Sequence, residues 1–142
     1  MSTLNDEQLR KFVADWYHAL DIHVPMVDVL PMLADEGLEM VFPEATLHGK
    51  AEFEGWYQRV IRIFFDEVHK VKEVGIKQDG DHYNLDVVVE WHASVWNPPE
   101  PSSKRISLDA FQRWVVVAGP TGPLVRTYIV DRLEYHPGSA TL

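Results

Sequence analysis

Two titratable side chains on strand-like runs are the residues best suited to do chemistry. Asp131 lies in the run Leu124–Tyr135, where it shares parity with Thr127, Ile129, Leu133 and Tyr135, the more apolar row. A carboxyl group on a core-facing row must be paired or raised in pKa, because desolvation disfavours its charged form. A value raised toward neutrality suits a general acid or base. The bland reading is a carboxylate ion-paired to a neighbouring arginine or placed at the sheet rim. His69 is the second candidate, in Phe65-Asp66-Glu67-Val68-His69, with Val71 on its face. A histidine inside a cavity can relay protons near pH 7. Its bland reading is a backbone hydrogen bond, or solvent if the strand parity is reversed. If both face one cavity, an Asp-oriented His follows.

Around these two stand neutral and aromatic groups. Tyr17 and Gln112 are candidate hydrogen-bond donors to a substrate carbonyl. Trp91 and Trp114 fall on apolar parities of adjacent strands and suit a flat hydrophobic wall, with Trp16 and Phe42 as further apolar contacts. The alternative for each is ordinary core. The histidines His18, His23, His48, His69, His82, His92 and His136 are scattered, with no His-x-His, no His-Glu-x-x-His and no cysteine. No metal site is therefore expected. Glycine-rich nucleotide loops and the Gly-x-Ser-x-Gly nucleophile elbow are absent.

The elements that must position these residues read as helices first and strands after. Asn5 to Leu20 is the first helix, capped by Asn5 or Asp6, with Leu9, Phe12, Val13, Trp16 and Leu20 on one face. A shorter helix starts near Pro25, with Pro31 bending or splitting it. Leu38–Phe42 reads as a brief strand, and Lys50–Phe65 as a third helix. Strands follow at Val68–Ile76, Tyr83–Trp96, Ile106–Ala118 and Leu124–Tyr135, with a turn at Gln78-Asp79-Gly80-Asp81 and a Pro-rich loop at Asn97–Ser103. On the second long strand Tyr83, Leu85, Val87, Val89, Trp91, Ala93 and Val95 point one way. This order is that of an α+β fold.

The chain has 142 residues, net charge −9 and no cysteine. That length suits one domain over 1–142. The acidic balance, with no basic run, argues against nucleic acid and anionic membranes. The polar N-terminus is not a signal peptide, and no apolar run spans a bilayer. A cytoplasmic location is compatible with the lack of cysteine.

The element order resembles the SnoaL-like family of the nuclear-transport-factor-2-like superfamily. So do Met40-Val41-Phe42-Pro43 running into Leu47-His48-Gly49, Asp109-Ala110-Phe111-Gln112-Arg113-Trp114, and Tyr128-Ile129-Val130-Asp131. The resemblance implies a cone-shaped, strongly curved antiparallel sheet wrapped around N-terminal helices, with a deep cavity and a homodimer paired through the outer sheet face. Relatives include polyketide cyclases, ketosteroid isomerase and scytalone dehydratase, which work without cofactor. Ketosteroid isomerases carry an Asp base before a Pro, where this chain has Phe42 before Pro43, so steroid isomerisation is not expected. The leading expectation is a cofactor-free lyase or isomerase acting on a small hydrophobic, oxygen-bearing substrate, with Asp131 as acid/base and His69 as partner. The rivals are a non-catalytic binding protein for an apolar or aromatic ligand, and a protein-interaction module using the outer sheet face.

Overall fold

A computed structural model describes residues 3–142. Helix α1 (Asp6–Asp21) begins at a reciprocal cap: the Asn5 side chain accepts from the Gln8 backbone N–H, and the Gln8 side chain accepts from the Asn5 N–H. Its apolar stripe buries Leu9, Phe12, Val13, Trp16 and Tyr17 against the sheet. Pro31 splits the next helical segment into α2 (Met26–Val29) and a single tighter turn, Leu30–Met32. Two short strands, β1 (Glu39–Val41) and β2 (Thr46–His48), precede helix α3 (Gly49–Ile63). Gly49 opens α3 at φ +82°, a left-handed conformation that favours glycine.

Four long strands follow: β3 (Phe64–Asp79), β4 (His82–Val95), β5 (Lys104–Ala118) and β6 (Pro123–Tyr135). The strand order is β2-β1-β6-β5-β4-β3. The four long strands pair antiparallel, as the sequence suggests, but β1 pairs parallel to β6, so the six-stranded sheet is mixed. The sheet curves strongly around the helices. Its inner face carries Tyr83, Leu85, Val87, Val89 and Trp91 from β4, and Ile106, Leu108, Ala110, Gln112 and Trp114 from β5.

β-Bulges decide which side chains face inward. On β6, Gln112 pairs with Val130 while Phe111 pairs with Arg132, so Asp131 is an extra residue without a partner. A bulge of this kind shifts the alternation by one. The inward row therefore runs Tyr128 and Val130, then Leu133, rather than the row of Ile129, Asp131 and Leu133 expected from strict alternation. On β3 the register breaks between Phe65 and Val68, where Asp66 sits at φ +54°. Beyond that break His69 pairs with Trp91 and joins the inner face.

Candidate active site

The inner face, the C-terminal half of α3 and the end of α1 enclose a cavity of about 290 Å³. Apolar walls come from Leu20, Val60, Ile61, Val89, Trp91 and Leu108. Phe42 stacks on Trp56, ring centres 4.1 Å apart, and both line the cavity. The indole N–H of Trp56 donates to Glu44 Oε1 at 3.0 Å. Into this apolar space come the polar side chains of His69, Glu67, Gln112, Tyr57 and Arg59.

His69 is held on three sides. Its backbone N–H donates to Asp21 Oδ2 at 2.9 Å, and its Nδ1 lies 2.5 Å from Asp21 Oδ1. The imidazole stacks on Tyr17, centres 4.7 Å apart, and lies nearly parallel to Trp91 at 5.9 Å. With Nδ1 committed to the carboxylate, Nε2 is the ring nitrogen free to meet a ligand. Asp21 is the last residue of α1, where the helix dipole disfavours a carboxylate. Its two hydrogen bonds to His69 offset that cost. The oriented pair is thus Asp21–His69, not Asp131–His69.

Asp131 stands on the outer face. It accepts two hydrogen bonds from Arg113, from Nε and Nη2, each at 2.8 Å. Arg113 holds its carboxyl below the usual range. It is the bulge that turns it out, and the expectation of a cavity-facing acid at this position is corrected.

Gln112 does face the cavity. Its Oε1 accepts from the Tyr17 hydroxyl at 2.7 Å and from Trp114 Nε1 at 2.9 Å. An indole N–H only donates, so the atom meeting it must be the carbonyl oxygen. The amide Nε2 is the group of Gln112 that can still donate, to the Tyr128 hydroxyl beside it or to a ligand oxygen. The Tyr17 hydroxyl also lies 3.2 Å from that of Tyr128. Burial pushes Tyr17 well above the ordinary phenol value and Tyr128 up to about 12, so both stay neutral donors.

Trp16, Tyr17 and Trp114 do not line the cavity. Trp114 has the expected inward parity, but α1 covers that end of the sheet, and Trp16 and Trp114 pack edge to face at 6.2 Å in the core. Tyr17 reaches the cavity through His69, Gln112 and Tyr128. Trp91, Phe42 and Gln112 are lining residues.

Three further residues escaped sequence reasoning: Asp21, Glu67 and His23. Glu67 lines the cavity with its side chain 10% exposed. Its Oε1 accepts from Trp91 Nε1 at 3.1 Å, and its Oε2 is paired with His23 Nε2. His23 sits at φ +51° just beyond α1, a conformation uncommon outside glycine. A signal for Asp21 was available in its place at a predicted helix end, where an acid is unfavourable.

No protein-family model matches this chain, and no curated protein matches it. Solved structures do. A proposed aromatic ring hydroxylase from Novosphingobium aromaticivorans aligns with TM-score 0.79 at 12% identity, covering 94% of this chain and 96% of that one. A proposed scytalone dehydratase from the same organism aligns with TM-score 0.71 at 14% identity, covering 95% and 90%. A proposed dehydratase of the nuclear-transport-factor-2-like family from Streptomyces avermitilis aligns with TM-score 0.68 at 15% identity, covering 87% and 91%. The chain has the SnoaL-like, nuclear-transport-factor-2-like fold.

Proposed function

We propose that this chain is a cofactor-independent enzyme of the lyase or isomerase type, acting on a hydrophobic, oxygen-bearing small molecule. The observation that carries this reading is the imidazole of His69, fixed by Asp21 and two aromatic rings with one nitrogen left for the cavity. His69 Nε2 takes a proton from substrate carbon. Asp21 holds the tautomer and stabilises the imidazolium that forms. Gln112 Nε2 donates to the substrate oxygen, where charge develops. The apolar walls select ring-bearing ligands and keep water away from the carbanionic centre. Structural neighbours named as proposed dehydratases support the reaction class.

The test is exchange of the α-protons of 2-tetralone in D2O, followed by NMR. His69→Asn is expected to lower the enzyme-catalysed rate by about 10²–10⁴-fold. Asp21→Asn should lower it at least about tenfold, through loss of the imidazolium's partner. Saturable binding of the ketone with no exchange above the buffer rate would instead make the chain a binding protein.

A further inference from the structure

We infer that Glu67 and His23 form a second proton-transfer pair of the same cavity, the donor to substrate oxygen that complements His69. This rests on the acid/base reading of His69. Glu67 is a carboxylate almost withdrawn from water, with its side chain 10% exposed. A group so placed demands strong partners, and it has two: the indole N–H of Trp91 at Oε1 and the imidazole of His23 at Oε2. A structural carboxylate would be expected to end there. This one also lines the cavity, as does His69, and the ring of Trp91 stands next to both. The two pairs are separate networks: Asp21 bonds only His69 and Glu67 bonds His23 and Trp91 among the described residues.

One wall therefore offers an imidazole nitrogen and, apart from it, a carboxyl–imidazole couple that shares one transferable proton. The chemistry this fits is enolisation of a ring ketone. The Cα–H bond breaks and its proton passes to His69 Nε2. The freed electron pair forms the carbon–carbon double bond, and the carbonyl π pair moves to oxygen. That oxygen takes the proton of the Glu67–His23 couple, giving a neutral enol. Solvent returns a proton to the couple and removes one from His69. His23 acts through Glu67 and is a positioning residue; the Tyr57 phenol, on α3, is close enough for the charge of Glu67 to raise it.

The same 2-tetralone exchange measurement tests this with Glu67→Gln and His23→Gln. Gln at either position retains a hydrogen-bonding group of similar reach but carries no transferable proton. Both variants are expected to lose at least about tenfold in rate. Both should lose it in kcat while KM for the ketone stays within about twofold, a split that a merely structural role would not give. Thermal unfolding checks that each variant is folded; if Glu67→Gln unfolds, His23→Gln alone decides. Exchange that needs His69 but keeps its rate in both glutamine variants would overturn the second pair and leave the first reading intact. Wild-type exchange no faster than buffer would overturn both.

Discussion

At the scale of single residues, the polar groups around the cavity divide by what they can give up. Tyr17 and Tyr128 are held protonated by burial, Tyr128 up to about 12, and Tyr57 is likewise raised to about 12 by burial and the charge of Glu67. A phenol whose folded pKa is raised contributes stability that is complete below the unfolded value near 10 and is lost as pH climbs through the folded one. Equilibrium unfolding in urea should therefore show a constant contribution from these groups up to about pH 10 and a steep loss by about pH 12, because the unfolded chain ionises first. A flat profile across that interval would contradict it. Replacing Tyr17 by Phe removes one of the two donors to Gln112 Oε1. The expected cost is about 1 kcal/mol in urea unfolding. Ligand affinity should weaken too, since the Gln112 amide is then held only by Trp114.

At the scale of the elements, the extra residue on β6 sorts two neighbours to opposite faces. Val130 lines the cavity and Asp131 pairs with Arg113 outside. Asp131→Asn should leave ketone exchange unchanged and cost about 0.2–1 kcal/mol, the range of exposed ion pairs. Because the carboxyl of Asp131 is depressed by Arg113, that contribution is present above the ordinary carboxylate range and disappears as pH falls through the folded value. The variant should therefore converge with wild type in acid. The strands themselves were legible: the alternation from Tyr83 to Val89 matches the buried row, though beyond it Ser94 is buried and Val95 only half-buried, and Asn5 does cap the first helix. Bulges leave no comparable trace. An alternating pattern reports parity only while pairing is regular, and nothing in Tyr128-Ile129-Val130-Asp131 marks where the register breaks. The side of the sheet that His69 takes was left open by the sequence; it turns inward because, beyond the break between Phe65 and Val68, it pairs with Trp91. Its true partner, Asp21, lies 48 positions away on a helix end, a contact created by tertiary packing alone.

At the scale of the whole molecule, the core is one continuous cluster in which α1 seals one end of the sheet and leaves the other open. Trp114 is the centre of that seal, in contact with Phe12, Trp16, Tyr17 and Tyr128. Trp114→Ala should cost about 3–5 kcal/mol, measured by urea unfolding, from lost burial plus the void it leaves. A loss under about 1 kcal/mol would mean that the surrounding rings collapse to fill the space. Order of elements and aromatic content made the fold readable, while the division between core and cavity was not, because it depends on where one helix stops. No helix among the described residues is long and apolar enough to cross a membrane.

The sheet ends on one side at β3, a strand of 16 residues with no neighbour beyond it. Such a border is a template on which other chains can polymerise. Here it is guarded. Lys70, Lys72, Glu73 and Lys77 stud it with charge, and its two register breaks deny an incoming strand a straight line of partners. Arg10, reaching across from α1, occupies the carbonyl of Val74 at 2.9 Å. The break that precedes His69 thus lies on the same strand that must discourage aggregation, so straightening β3 would disturb the cavity wall and the guarded border together.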